Sequence, residues 1–223
     1  MSTGILQQLS YSLAIALTTI LNVPLTAENA NQDGNDFQAL FDGETLAGWR
    51  GDPNHWKVVD GAIIGTTKPA GRKTNTFLIA DGDFKDFVLR LKFKLTNGAS
   101  GIQFRSVPIG SPQDFLVTGY QADIGGGDTG TFYEEKGRGT LVPADQAVVK
   151  TVNRPNDWNT YTITMIGKTG EIKLNGQVTA RYIESREQAP TSGVIALQLQ
   201  AGSGMEIAFK DIEIHELKPA RGN

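Results

Sequence analysis

The feature of this sequence that most constrains its fold is a two-residue alternation of apolar and polar side chains, which recurs in short runs between turn residues. In the run from Phe87 to Leu95, every odd-numbered residue is apolar and three of the four residues between them are basic. Successive side chains of a β-strand point to opposite faces, so this run predicts a strand with one buried and one solvated face. The dipeptides Asp60-Gly61 and Asn175-Gly176 predict tight hairpin turns.

Runs of this kind follow one another from residue 37 to residue 217, and no long helical period interrupts them. A chain of 223 residues with 39% hydrophobic residues can bury one substantial core, which fits a single sandwich domain. The pattern therefore predicts an all-β fold, an antiparallel two-sheet sandwich of jelly-roll type. In such a fold, we expect polar side chains of neighbouring strands to line one concave face.

The beginning of the chain differs from the rest. Leu13–Val23 is an apolar stretch with the length of a signal-peptide core, and Ala27 follows as a small residue suited to cleavage. The predicted organisation is a signal peptide over residues 1–27, a disordered spacer over 28–36, the folded domain over 37–217 and a tail over 218–223. The protein is then expected to be secreted or periplasmic. Because the first basic side chain is Arg50, the leader lacks the usual positive residues, and a retained membrane anchor over Ile5–Val23 is the alternative.

Composition excludes several classes of function. The chain has 21 basic and 24 acidic residues and no basic block, so neither nucleic acid nor an anionic membrane surface is indicated as a partner. The absence of cysteine excludes disulfides and thiolate chemistry, and two histidines are too few for a histidine-rich metal site. A metal, if the protein has one, would be a structural calcium held by oxygen-rich loops such as Gly125–Asp128 or Asp81–Asp86.

The stretch from Ser100 to Gly139 contains the best candidate site. In one alternating run, Gln103 and Arg105 fall on the polar face, and in the next run Gln121 and Asp123 do so. Amide, guanidinium and carboxylate groups on one strand face can form paired hydrogen bonds with hydroxyl groups. This composition favours a saccharide or another polyol as the ligand.

Two other segments are expected to complete this face. A glycine-rich loop after the second run carries charged and aromatic residues, and a later predicted strand, residues 193–200, presents amides. These residues are Tyr133, Glu134, Glu135 and Arg138 in the loop and Gln198 and Gln200 in the strand.

Structural roles remain open for most of these residues. Arg105 and Asp123 are also suited to an interstrand ion pair, and the glutamines to an amide ladder. Tyr133 is as well suited to capping the edge of the core as to stacking on a sugar, and one of Glu134 and Glu135 is expected to be a solvated loop charge.

Several segments together resemble the 3-keto-disaccharide hydrolase family. They include FQALFDGETLAGW, WKVVDGAIIGT, SGIQFRS, GYQADI, TGTFYEEKGRG and ALQLQAG, and the resemblance spans Phe37 to Leu217. It implies a jelly roll similar to concanavalin-like lectins and glucanases, in a family described as 3-keto-glycoside 1,2-lyases and 3-keto-2-hydroxy-glucal hydratases. One departure is Gln200, which stands where the family often has a histidine, and an amide cannot exchange a proton near neutral pH.

The resemblance implies cleavage of a glycoside already oxidised at carbon three of its sugar. The ketone acidifies the hydrogen at carbon two, so a carboxylate base can remove that proton and the aglycone leaves by elimination. We assign Asp123 as the base, Arg105 as the group that stabilises the enolate, and Glu135 or Glu134 as the acid. The alternatives are a non-catalytic, lectin-like carbohydrate-binding module and an envelope protein with a vestigial site.

Overall fold

Two antiparallel β-sheets account for nearly all the regular structure of residues 36–218, the part of the chain that this computed structural model describes. The elements in chain order are β1 (Gln38–Ala39), β2 (Trp49–Arg50), β3 (Trp56–Val59), β4 (Ala62–Thr66), β5 (Thr76–Ala80), β6 (Phe87–Asn97), β7 (Ala99–Ile109), β8 (Leu116–Gly125), β9 (Phe132–Glu135), β10 (Gly139–Val142), α1 (Gln146–Val152), β11 (Asn159–Ile166), β12 (Thr169–Leu174), β13 (Gln177–Ile183), β14 (Val194–Leu199) and β15 (Glu206–Glu216). The single α-helix in this range has 7 residues. The predicted all-β sandwich is therefore confirmed.

The first sheet has the strand order β13-β12-β11-β6-β15-β4-β3, and β1 also pairs with β15. The second sheet has the order β10-β9-β8-β7-β14-β5-β2. The turns follow the sequence signals: Asp60 and Gly61 have φ of 49° and 73° between β3 and β4, as a two-residue hairpin requires. Asn175 and Gly176 have φ of 49° and 85° and form the corresponding two-residue turn between β12 and β13.

The core lies between the two sheets. It is built from the apolar positions of the alternating strands, including Phe93, Phe104, Phe132 and Tyr161, each at most 2% exposed. Burial of one such large side chain typically contributes about 1.5 to 3 kcal/mol to folding, so the alternation fixes which face of each strand is inside. The polar positions of the second sheet are consequently left on its outer face.

The predicted signal peptide and all but the last residue of the predicted spacer lie outside the described residues, as does the tail from residue 219. Within residues 36–218, no helix is long and apolar enough to cross a bilayer.

Candidate active site

A polar cleft of about 640 Å³ lies on the outer face of the second sheet. It is lined by Asn75, Gly98, Ala99, Ser100, Gln121, Asp123, Ile124, Gly125, Gly126, Asp128, Tyr133, Glu135, Gln198, Gln200 and Ala201. Six of the ten residues predicted from the sequence therefore share one space, namely Gln121, Asp123, Tyr133, Glu135, Gln198 and Gln200.

Strand pairing explains this grouping. On β7 and β8, Gln103 is directly opposite Gln121 and Gly101 is opposite Asp123. On β9, Tyr133 is opposite Gln121. Directly opposed residues share a face of the sheet, so one row of outward-facing positions crosses three strands.

A chain of hydrogen bonds fixes the amide beside Asp123. The Ser106 hydroxyl donates to the Gln103 carbonyl at 2.6 Å. The Gln103 amide nitrogen donates to the Gln121 carbonyl at 2.6 Å, and the Gln121 amide nitrogen donates to Asp123 Oδ1 at 2.6 Å. The amide ladder considered from the sequence does form between Gln103 and Gln121, and it ends on the candidate base, where it holds one carboxylate oxygen.

A glycine makes room for this amide. A Cβ atom at Gly101 would overlap with the side-chain amide carbon of Gln121. Gly101 has an ordinary strand conformation, so its absence of a side chain serves the packing of Gln121 and not a special backbone angle.

The core anchors the backbone of Asp123. Tyr161, which is fully buried on the first sheet, donates its hydroxyl hydrogen bond to the Asp123 carbonyl and accepts one from the Gly130 backbone N–H at 2.7 Å. A buried tyrosine hydroxyl normally finds a partner, and this one ties the two sheets together at the candidate base.

The cleft disfavours charge on its carboxylates. Burial raises the pKa of Asp123 to about 7, against the opposing hydrogen bond from Gln121, and the charges of Asp128 and Glu135 raise it further. Burial also raises the pKa of Glu135, although hydrogen bonding to Asn75 and the charge of Lys136 oppose this. Such partly desolvated carboxylates in one cleft are typical of acid–base sites.

Tyr133 keeps its hydroxyl proton at neutral pH. Burial raises the pKa of its hydroxyl, and the charges of Glu135 and Asp123 act in the same direction. It lines the cleft and is half-buried. A tyrosine in this position offers a hydrogen-bond donor to a ligand.

Arg105 does not lie in the cleft, contrary to the sequence-based prediction. The β7–β8 register shifts after Phe104, and Arg105 has a φ of 44°, so a β-bulge turns its side chain away from the outer face. Its guanidinium donates to the Lys85 carbonyl and the Gly167 carbonyl at 2.6 Å each and to Asp86 Oδ1 at 2.8 Å. The ion pair between Arg105 and Asp123 that the sequence also allowed does not form.

Glu134 and Arg138 are also outside the cleft. Glu134 is opposite the core residue Tyr120, so it faces the interior side of β9 while Glu135 faces the cleft. Arg138 and Arg186 each donate to Glu134 at 2.6 Å. Burial alone would raise the pKa of Glu134, but these hydrogen bonds outweigh it and lower the pKa, so this residue is unsuited to the acid role. Gln103, the fourth predicted residue outside the lining, contacts the cleft through Gln121.

Sequence reasoning missed several residues that build the site. Asn75 donates to Glu135 Oε1 at 3.4 Å and accepts from the Ala201 N–H at 2.9 Å, yet it stands in a stretch with no distinctive pattern. Ser106 and Tyr161 act through other residues, and only the need of a buried hydroxyl for a partner could have pointed to Tyr161.

Side chains suited to bind a metal ion do not cluster in the described residues. Within residues 36–218 there is no group of three or more His, Cys, Asp or Glu side chains that could hold an ion. His55 bonds the Thr66 carbonyl through Nδ1 at 2.9 Å, and His215 lies on β15, so neither lines the cleft.

Residues 36–215 of the chain match the sequence pattern of one protein family, the 3-keto-alpha-glucoside-1,2-lyase-like domain. A search of curated proteins finds no match.

Solved structures share the fold. A candidate glycosyl hydrolase from Parabacteroides distasonis has a TM-score of 0.62 and 23% identity over 88% of this chain and 99% of its own. The carbohydrate-binding module CBM66 from Bacillus subtilis has a TM-score of 0.56 and 16% identity over 76% of this chain and 96% of its own. A protein with a galectin-like fold, also from Bacillus subtilis, has a TM-score of 0.57 and 11% identity over 77% of this chain and 90% of its own. At these identities the likeness shows the fold alone.

Proposed function

Since the chain belongs to the family of 3-keto-alpha-glucoside-1,2-lyase-like domains, we propose that it is a carbohydrate-active enzyme that cleaves 3-keto-glycosides by elimination followed by hydration. The observation that carries the proposal is the composition of the cleft. Asp123 and Glu135, both partly desolvated, line the same space as the Tyr133 hydroxyl and four amide side chains. These groups match a reaction that needs one base, one acid and hydrogen-bond donors, with no metal and no nucleophile.

In the first step, the Asp123 carboxylate removes the proton from carbon two of the sugar. A base whose pKa is raised to about 7 is stronger than an ordinary carboxylate and suits a carbon acid activated by the neighbouring ketone. The Tyr133 hydroxyl donates to the ketone oxygen as negative charge develops there, the role first assigned to Arg105. The electron pair then forms the double bond between carbons one and two.

Cleavage of the glycosidic bond accompanies this change. The bond from carbon one to the aglycone oxygen breaks, the oxygen keeps the electron pair, and protonated Glu135 supplies its proton. Water then adds across the double bond. Its hydroxyl goes to carbon one with Glu135 accepting the water proton, and Asp123 returns a proton to carbon two. The products are the free aglycone and a 3-keto sugar, so the net reaction is hydrolysis.

The proposal is tested with matched pairs of glycosides. The full chain is incubated with 4-nitrophenyl 3-keto-glucosides and with the same glucosides before oxidation, and released nitrophenol is measured. Only the keto compounds should be cleaved, because only they have an acidic hydrogen at carbon two. Equal cleavage of both would indicate an ordinary glycosidase. Binding of both with cleavage of neither would indicate the carbohydrate-binding module.

The pH dependence of kcat/KM is expected to be bell-shaped, with an alkaline limb near pH 7. Asp123 and Glu135 share the cleft and titrate as a pair, so the singly protonated pair contains one base and one acid. Protonation of both carboxylates removes the base at low pH. The pair loses its last proton near the raised pKa of Asp123, about 7, and then no acid is left, so the active form is the singly protonated pair with Asp123 ionised and the proton on Glu135. Initial rates across the range from about pH 4 to 9 measure this. Activity that keeps rising above pH 8 would show that no carboxylic acid is required.

Glu135→Gln is expected to slow cleavage according to the leaving group. With a methyl 3-keto-glucoside, whose leaving group needs a proton, kcat should fall by about 10²-fold, and with the 4-nitrophenyl compound by less than about tenfold. The alkaline limb should also disappear, because Asp123 alone must then be ionised. Glu134→Gln is the matched control on the opposite face of β9. In Glu134→Gln, any change in kcat should be the same for both compounds. If Glu135→Gln also lowered kcat equally for both compounds, the acid role of Glu135 would be contradicted.

A further inference from the structure

A second cleft, of about 580 Å³, lies beside the first. It is bounded by the end of β6, the β8–β9 loop, α1 and the segment between α1 and β11. Its lining includes the cations Lys150 and Arg154, several uncharged polar side chains, and the apolar residues Leu95 and Val149. None of these side chains takes part in the proposed chemistry.

The two clefts border each other along Gly98, Ile124 and Gly125, which line both. The two glycines have φ of 89° and 85° and no side chain to form a barrier. A Cβ atom at Gly125 would lie 2.5 Å from Leu95 and 2.9 Å from the Gly98 carbonyl. The two clefts therefore adjoin where the two glycines carry no projecting side chain, and a ligand that fills the first cleft can extend into the second.

The charges of the two clefts are opposite. Among the described residues, the lining of the first contains Asp123, Asp128 and Glu135 and no lysine or arginine. On the same basis, the lining of the second contains Lys150 and Arg154 and no aspartate or glutamate. Within residues 36–218, neither of these two cations forms an ion pair.

This arrangement separates the two halves of a substrate by their chemistry. The carboxylate cleft suits a neutral, hydroxyl-rich sugar, because an anionic group there would add to charges that the cleft already disfavours. The second cleft offers two cations and an apolar surface, a combination that fits an apolar group bearing a negative charge.

We infer that the second cleft is the binding site for the leaving group and that it selects aglycones which carry an anionic group on an apolar or aromatic body. This inference rests on the proposed function, since it assigns the reacting sugar to the carboxylate cleft. It assigns Lys150 and Arg154 to substrate selection, with no part in the chemical steps.

The test compares two substrates that differ in charge and little in size, the 3-carboxyphenyl and 3-carbamoylphenyl 3-keto-glucosides. The preference is the ratio of their kcat/KM values, measured for the wild-type chain and for Lys150→Gln/Arg154→Gln. Any difference in the reactivity of the two phenols cancels when the two ratios are compared. Lys57→Gln/Lys85→Gln is the matched control, since it removes two exposed cations that line neither cleft.

The wild-type chain should prefer the carboxyphenyl substrate, and the preference should fall by about five- to tenfold in Lys150→Gln/Arg154→Gln, the combined effect of two exposed ion pairs. It should also weaken with added salt, while the control keeps the wild-type ratio. A ratio that is unchanged in the variant, or lowered equally in the control, would overturn the inference.

Failure of the proposed function gives a different result. Dissociation constants of the same two compounds are measured alongside the rates, so the preference can be determined even if neither substrate is cleaved. If neither compound is cleaved but the carboxyphenyl compound binds more tightly, and Lys150→Gln/Arg154→Gln abolishes that preference, the proposed reaction is refuted and the anion-binding role of the second cleft is kept. Turnover without such a preference would keep the reaction and refute the site.

Discussion

Asp123→Asn is expected to lower the turnover of a 3-keto-glycoside by about 10² to 10⁴ and to change the dissociation constant of the substrate by less than about tenfold. Asparagine keeps the size of the side chain and can still accept the Gln121 hydrogen bond, which is 2.6 Å long in the wild type. It removes the oxygen that takes the proton from carbon two. The measurement is single-turnover release of aglycone together with binding of the unoxidised glycoside.

The stability of this variant separates lost chemistry from lost structure. The pKa of Asp123 is raised in the folded state, so its negative charge lowers the free energy of unfolding. This destabilisation is absent below about pH 4, grows as the pH rises towards 7 and stays constant above pH 7. Asn removes this penalty, and Asp123→Asn should be at least as stable as the wild type at pH 8 in denaturant unfolding. A folded Asp123→Asn protein with normal turnover would move the base to Glu135.

Arg105→Met is expected to destabilise the protein by about 3 to 5 kcal/mol, the usual cost of removing one partner of a buried ion pair. The Arg105 side chain is 2% exposed and holds Asp86 together with the carbonyls of Lys85 and Gly167, which precede β6 and connect β11 to β12. Its loss removes the Arg105 donor from both carbonyls and leaves Asp86 with the Gly167 N–H in place of a cationic partner. The measurement is the midpoint of guanidinium unfolding.

Turnover by the folded fraction of Arg105→Met should stay within about fivefold of the wild-type value, because Arg105 does not line the cleft. Arg50→Met is the control, since the Arg50–Asp81 pair is also 2.8 Å long but the arginine side chain is 54% exposed, so its loss should cost less than about 1 kcal/mol. Normal stability with a large loss of turnover in Arg105→Met would restore Arg105 to the enolate role.

The two variants together distinguish the two faces of one sheet. Asp123 is expected to contribute to the reaction at some cost to stability, and Arg105 to stability with little effect on the reaction. Both lie in the alternating runs that the sequence presents as equivalent, on the paired strands β7 and β8.

The alternation of apolar and polar residues by itself determined the fold class and part of the site. It placed Phe104 and Tyr120 in the core and Gln121 and Asp123 on the opposite face, because burying the apolar side of a strand exposes its other side. The hairpin at Asn175 likewise followed from local backbone preference. These features depend on neighbours in the sequence, which is why they could be predicted.

Only the tertiary structure decided the position of Arg105. A single inserted residue reverses the alternation, and this bulge is stabilised by Asp86 and Gly167, which are 19 and 62 residues away in the chain. Likewise, the assignment of Glu135 to the cleft and Glu134 to the interior followed from the register of β9 against β8. The second cleft forms where α1 and the segment after it pack near the ends of β6 and β8. The alternation of residues within a single strand does not reveal how distant segments pack against one another.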